Sequence, residues 1–327
     1  MEVKFLSVDG QIEKLKDDGL AVNEENDKET LRRINYFTLV NRYKFLFIEI
    51  GTKGEKFNKG TRFDELLSVY EMDSDLKILI FDYILKLEKM FSTAIAYYFC
   101  EAHPEDDVFA YLRECNYEFD FVNREPYRRL KKDGKGREVR LDIEIDDLIH
   151  NFFSELSVTS NESINRCLEE KEGKVPLWVL INSLSLGDLS NIFIFMKKEQ
   201  KEAIIRYLNG FYNKQYNIKS VNDESKLEDI DVIEFLEHLK VFRNICAHNG
   251  GLIGKTMDYI KIKPKFALKD MIRRQDTNLG SLVSKMKGYL TKDDYKNLTK
   301  NINNIFKKYR KLINKKSFDL LLDVCWN

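Results

Sequence analysis

Proline is scarce in this chain. Four prolines in 327 residues, with fifteen glycines, leave long stretches in which nothing forbids a helix. Cysteine is scarce too: Cys100, Cys115, Cys167, Cys246 and Cys325 are odd in number, far apart and form no CxxC pair. That excludes a disulfide framework and offers no zinc-site spacing. Only four histidines occur, none in an HExxH arrangement, and there is no Walker-type glycine loop, dinucleotide fingerprint or GxSxG elbow. No metal and no cofactor is therefore expected. No apolar run reaches the roughly 20 residues that cross a bilayer. The amino terminus, MEVKFLSVDGQIEKLK, is charged at its second and fourth positions and lacks the apolar core of a secretory signal. The expectation is a soluble, cytoplasmic protein with reduced thiols and no membrane partner.

Net charge is absent as well, since 54 Lys and Arg balance 54 Asp and Glu. The balance hides an asymmetry. From Lys255 to Lys316 eighteen basic residues stand against five acidic ones, a local net of +13, so the remainder carries −13. A basic stretch of this kind is what a polyanion-binding surface needs. A second basic stretch, Tyr127–Arg140 (YRRLKKDGKGREVR), sets seven Lys and Arg around Gly134 and Gly136 and runs into the alternating VRLDIEI. It reads as a small hairpin or a loop between helices, suited to gripping phosphates or to serving as a solvated connector.

Apolar residues recur at three- and four-residue intervals over most of the chain, so the fold class is expected to be mostly α. After a short mixed region ending in AVNEENDKET, whose Asn and Asp can cap, one helix is expected over about 25–50, packing Leu31, Ile34, Phe37, Val40 and Phe47. A second starts at Phe63 and breaks near Asp73-Ser74-Asp75, where Ser74 or Asp73 would cap a wide-faced, central helix running through Leu76, Ile80, Leu87 and Phe91 to Phe99. Further helices are expected from Asp146 to Leu156, through Trp178, Ile181, Leu184 and Leu189, from Lys197 to Gly210, and through Leu298, Ile302, Ile305, Tyr309 and Leu312. Asn182 and Ser183 read as core hydrogen-bond partners, 212–226 as a polar connection, and Tyr259–Phe266 as an extended, lysine-faced strap. Residues 1–125, 126–145 (the basic hairpin or loop) and 146–327 are read as parts of one compact unit.

The chemistry is expected in Val241–Gly251, VFRNICAHNGG. Val232, Phe235, Leu236, Leu239, Phe242 and Cys246 make one apolar stripe on a helix expected from about Leu227 to Asn249, ended by left-handed Gly250 and Gly251. Arg243 falls inside that stripe, where a guanidinium requires a carboxylate, a phosphate or a subunit interface. Asn244 and His248, four apart, share another face with Glu237. His248 lies at the negative end of the helix, which favours the imidazolium and a pKa useful near neutrality. On spacing alone a plainer reading stays open: Arg243 in a core salt bridge, with Glu88 the first carboxylate to inspect, and His248 as a cap. His103, His150 and His238 stand alone, and Cys246 reads as a packing residue.

Arg243-Asn244, three intervening residues and His248 resemble the Rx4H signature of the HEPN superfamily. The fuller RNICAHNGG is similar to the form carried by Abi-like abortive-infection proteins of the AbiD/AbiF group. Three further blocks resemble that family: Leu31–Phe47 (LRRINYFTLVNRYKFLF), Phe63–Phe99 and Val175–Ser190 (VPLWVLINSLSLGDLS). The usual Abi-like motif carries an arginine soon after the histidine. Here Asn249, Gly250, Gly251 and Leu252 follow, so a second basic contact must come from elsewhere.

The resemblance implies a multi-helix HEPN-like bundle and a metal-independent endoribonuclease acting as an anti-phage, abortive-infection toxin. In it His248 serves as general base or acid, Arg243 holds the phosphate, and Asn244 orients the ring or a non-bridging oxygen. Two proton transfers need more than the one such histidine per chain; HEPN proteins pair two motif helices, so the resemblance implies a homodimer sharing a composite cleft. The resemblance also implies a toxin-antitoxin setting with a small structured RNA as inhibitor. RNA contacts are expected from Arg128, Arg129, Lys131, Lys132, Lys255, Lys261, Lys263, Lys265, Lys307, Lys308, Arg310 and Lys311. The alternatives are a non-catalytic RNA-binding module holding a small structured RNA, and a protein-interaction scaffold ordered by the charge asymmetry.

Overall fold

Two short helices open the chain in the computed structural model, α1 (Val8–Asp17) and α2 (Glu24–Arg33). The model describes residues 5–48, 56–122, 124, 144–157, 161–217, 227–248, 250–254 and 278–326. Ser7 and Asn23 cap α1 and α2 by accepting the N–H groups of Gly10 and Asn26. The helix expected to run on to residue 50 does not form. Asn35 Oδ1 accepts the Phe37 N–H at 2.8 Å, a local bond that competes with the helical ladder. The chain continues through a π-helical turn (Phe37–Asn41) and a 3-10 turn (Lys44–Leu46). Between them Tyr43 is wholly buried and Arg42 partly so.

The next helix, α3 (Phe63–Glu101), is 39 residues long, about 58 Å at 1.5 Å per residue. Buried residues recur along all of it, from Phe63 and Leu66 to Ile95 and Phe99, which makes it central, as its wide apolar face implies. The expected break at Asp73-Ser74-Asp75 is absent. Ser74 Oγ bonds back to the Tyr70 carbonyl at 3.0 Å, and Asp73 is fully buried against a distant segment. Glu65 fixes the start of α3: one carboxylate oxygen accepts the Arg62 N–H at 3.3 Å, and the other accepts the backbone and side-chain amides of Asn314 at 2.7 and 2.6 Å.

α4 (Ile145–Ser157) and α5 (Glu162–Glu170) lead to a short α6 (Leu177–Leu180) and to α7 (Leu186–Phe195). The helix expected through Trp178 and Leu189 is thus two helices. Ser185 Oγ accepts the Asp188 N–H at 3.2 Å while Asp188 accepts the Ser185 N–H at 2.9 Å, a capping box that starts α7 afresh. Asn182 is exposed rather than a core partner, its amide bonded to the Trp178 carbonyl, and Ser183 Oγ donates to the Leu180 carbonyl. α8 (Lys198–Tyr216) continues beyond Gly210 and ends at left-handed Asn217 (φ 55°), so the expected polar connection begins as helix.

After α8 come α9 (Asp229–Ala247), α10 (Leu279–Met286), α11 (Lys292–Tyr309) and α12 (Lys315–Trp326). α6, α7, α8, α9 and α11 pack on α3, and α7 packs on α9. Phe91 of α3 and Phe235 of α9 meet Tyr289, which stacks on Phe235 with centroids 4.1 Å apart. Among the described residues there is no strand, only isolated bridges between Ala21 and Arg62 and between Ile48 and Phe57. No described helix is long and apolar enough to cross a membrane. The expected basic hairpin, up to residue 143, and the strap at Tyr259–Phe266 lie outside the described residues.

Candidate functional site

Val232, Phe235, Leu236, Leu239 and Phe242 are all buried, so the apolar stripe of α9 faces the core and carries its polar end to the surface. The helix stops at Ala247, two residues short of the expected end, and neither Gly250 nor Gly251 adopts a positive φ. His248 ends it instead. Its backbone is extended (φ −114°, ψ 175°), its N–H donates to the Asn244 carbonyl at 3.1 Å, and the residue is exposed, as is Asn244. Glu237, two turns below Asn244, is occupied elsewhere: it accepts the Ser190 hydroxyl at 3.0 Å and pairs with Lys240, tying α9 to α7.

Arg243 is partly buried, and its Nε has no hydrogen-bond partner among the described residues. Glu88 of α3 lies within reach of its charge, and Glu88 Oε2 is likewise buried without a partner. Burial raises the Glu88 pKa, and the opposing pull of Arg243 does not cancel that effect. A closed, hydrogen-bonded ion pair would drive the carboxyl down instead. Each side chain therefore keeps one buried atom without a partner among the described residues, while the Arg243 charge still acts on Glu88. A carboxyl whose folded pKa exceeds its unfolded value loses stability as pH rises through that interval. Glu88→Gln is accordingly expected to raise the melting temperature at pH 7 and to gain little at pH 4. Equal gains at both would show that ionisation of Glu88 is not the source.

The segment after the motif is clamped. Asp73 Oδ1 accepts the N–H groups of Leu252 and Ile253 at 2.8 and 2.7 Å, and Asp73 Oδ2 pairs with Lys77 Nζ at 3.2 Å. Lys77 Nζ also donates to the Gly250 carbonyl at 3.1 Å. Burial, with the Asp73 charge adding to it, holds the Tyr43 phenol protonated beside this cluster. Burial likewise pushes the Cys246 thiol up to about 12, with Asp73 adding and Lys77 opposing, which fits a packing residue. Arg42 lies over Gly251, where an added Cβ would stand 2.4 Å from Arg42 Cδ. Gly251 thus permits a close approach rather than a left-handed turn. Gly251→Ala is expected to cost about 1–3 kcal/mol by overpacking, measured by urea denaturation. A loss under about 0.5 kcal/mol, the level of an ordinary surface change, would mean that Arg42 moves aside freely.

Arg42 and Lys77 were not singled out by spacing, and Asp73 only as a helix cap, yet Arg42 and Lys77 bring two cations from the amino-terminal third to the end of the motif. Of the residues expected to contact RNA, Lys307, Lys308, Arg310 and Lys311 are exposed at and just beyond the end of α11. Lys308 is also structural: it pairs with Asp75 of α3 at 2.9 Å, and Asp75 accepts the Tyr309 hydroxyl at 2.8 Å. Arg128, Arg129, Lys131, Lys132, Lys255, Lys261, Lys263 and Lys265 lie outside the described residues.

The remaining histidines are apart from the motif's chemistry. His238 is buried with Nδ1 3.2 Å from Lys285 Nζ, and burial, aided by that charge, lowers its pKa to about 3. His103 Nδ1 bonds to the Phe99 carbonyl, and His150 is exposed. Among the described residues no group of three His, Cys, Asp or Glu is placed to hold a metal ion.

No match was found among curated proteins or among solved structures. The model of the Abi-like protein family matches residues 29–254. That span takes in Arg42, all of α3, Glu88, the Arg243–His248 motif and the clamped turn behind it. With well over half of its length inside the match, the chain belongs to the Abi-like protein family.

Proposed function

We propose that this chain is a metal-independent endoribonuclease acting as an abortive-infection toxin, a role that family membership suggests in its general outline. The observation that carries the reading is the end of α9: an exposed His248 stands five residues beyond an Arg243 whose Nε is buried without a partner among the described residues. The resemblance of this spacing to the Rx4H signature of the HEPN superfamily supports it.

Cleavage proceeds by attack of a ribose 2′-OH on the neighbouring phosphorus. His248 takes the hydroxyl proton, and Arg243 neutralises the phosphorane through two parallel hydrogen bonds. Asn244, on the same exposed face as His248, orients the ring or a non-bridging oxygen. Protonation of the leaving 5′-oxygen requires a second acid, which His248 of a second copy supplies in a homodimeric cleft. Lys307, Arg310 and Lys311, together with the other basic residues between Lys255 and Lys316, steer and hold the RNA.

Incubation of the purified chain with RNA in excess EDTA tests this directly. The products should carry 2′,3′-cyclic phosphate and 5′-hydroxyl ends. Products with 5′-phosphate, or activity that disappears with EDTA, would point to another chemistry. The local charge of +13 favours a second reading, a module that holds a small structured RNA without cutting it. Tight, salt-dependent retention of intact RNA by the wild-type chain would select that reading.

A further inference from the structure

The groove between the second half of α3 and α6 takes no part in the reaction proposed above. One wall comes from α3, where Thr93, Tyr97 and Glu101 share a face through their four-residue spacings with Ser92 beside them, and the other includes Trp178 and Asn182. The space measures about 490 Å³, within the size range of ligand sites. Tyr97 and Trp178 are 58% and 56% exposed, so two large rings flank one opening without covering each other.

The direction of the hydrogen bonds decides what fits. The hydroxyls of Ser92 and Thr93 donate to the Lys89 carbonyl at 3.0 and 2.8 Å. The Tyr97 hydroxyl donates to Glu101 at 2.9 Å, a bond that also keeps the phenol protonated. The Asn182 amide donates to the Trp178 and Val179 carbonyls at 3.0 and 3.3 Å. Apart from the Trp178 indole N–H, every side-chain donor among these six residues is committed. What they have left to offer is lone pairs, one carboxylate and two aromatic faces.

That combination selects a cation rich in N–H donors. A phosphate would meet the Glu101 charge with almost nothing to receive it. Among cations, a guanidinium suits best, because it is planar, stacks on rings and bonds a carboxylate through two parallel N–H groups. The groove is open and encloses only part of what enters it, so a free small cation gains little. A side chain carried on a longer segment also makes contact along the flanks. We propose that this groove docks an arginine-bearing segment of a partner protein, its guanidinium paired with Glu101 and lying against the Tyr97 and Trp178 rings. The proposal is independent of the nuclease reading, since Asp73, Lys77 and Glu88, which serve the motif, precede the α3 residues that line the groove.

The probe is a blocked peptide, Gly-Leu-Ala-Arg-Ala-Leu-Gly, titrated into the full chain carrying Trp326→Phe, which leaves Trp178 as the reporting indole. Its citrulline counterpart keeps the shape and loses the charge. A saturable change in Trp178 emission is expected with the arginine peptide, weakened at least about tenfold by the citrulline exchange or by Glu101→Gln, as loss of a charge-assisted pair implies. Glu13→Gln, on α1, should change nothing. The proposal is overturned by absence of saturation at millimolar peptide, by equal binding of the citrulline peptide, or by indifference to Glu101→Gln. Guanidinium chloride binding as tightly as the peptide, or an oligoribonucleotide displacing it from Trp178, would also overturn it. Glu101 is exposed, so its substitution leaves packing intact, and the citrulline comparison needs no variant at all.

Discussion

Arg243→Ala and His248→Ala are each expected to slow RNA cleavage by about 10²–10⁴-fold, the range lost when a proton-transfer group or a transition-state hydrogen-bond donor is removed. The two substitutions differ in what else they disturb. His248 is exposed at the end of α9, where its backbone N–H, which alanine keeps, donates to the Asn244 carbonyl, so His248→Ala should leave stability within about 0.5 kcal/mol of wild type. Arg243→Ala strips Glu88 of an opposing charge and should destabilise the chain more at pH 7 than at pH 4. Adding Glu88→Gln removes that side effect. The double variant is therefore expected to recover stability while remaining inactive, which separates a lost reaction from a damaged fold. Asn244→Ala, removing an orienting group only, should cost less than either. A dimer of one wild-type and one His248→Ala chain tests the shared cleft: it should be as inactive as the homodimeric variant if both imidazoles serve one reaction. Full cleavage by both single variants would eliminate this assignment.

How far the sequence could lead is clearest at the motif. The period of Val232, Phe235, Leu236, Leu239 and Phe242 is local information, and it placed Arg243, Asn244 and His248 at one end of one helix, where they stand. Caps are local as well. Asn23 was legible for that reason, and the Ser185-to-Asp188 spacing carried the signal that splits α6 from α7, although the apolar period across it argued for one helix. Long-range partners leave no such trace. Asp73 looked like a helix start because a carboxylate accepts backbone N–H groups; the ones it accepts belong to residues 179 and 180 positions away. Gly250 and Gly251 looked like helix terminators because glycine is commonest there. What a side chain at Gly251 would meet is the Arg42 methylene above it, and Arg42 lies past the end of α2, where the Asn35 side chain takes the Phe37 N–H.

Asp73→Ala carries the largest expected loss of stability, about 3–5 kcal/mol, against a total for such domains of about 5–15 kcal/mol. Three groups lose a partner at once: the N–H groups of Leu252 and Ile253, and Lys77, whose side chain is only 14% exposed and keeps just the Gly250 carbonyl among the described residues. Each unsatisfied buried N–H costs about 1–3 kcal/mol. Asp73→Asn keeps an acceptor for the two N–H groups but sets an amide beside the Lys77 ammonium, so it should lose about half as much. Lys77→Met leaves Asp73 with both N–H donors and frees the Gly250 carbonyl, and is expected to cost about 1–3 kcal/mol. Urea denaturation with an unchanged m-value reads these differences; a loss below about 1 kcal/mol for Asp73→Ala would mean that water or a shifted backbone replaces the carboxylate. Function should follow the same order for a geometric reason. His248 leaves α9 in extended backbone, and among the described residues that follow it Gly250 is gripped by another element through Lys77. Lys77→Met, which alters no motif residue, is therefore expected to reduce cleavage while the chain is still fully folded.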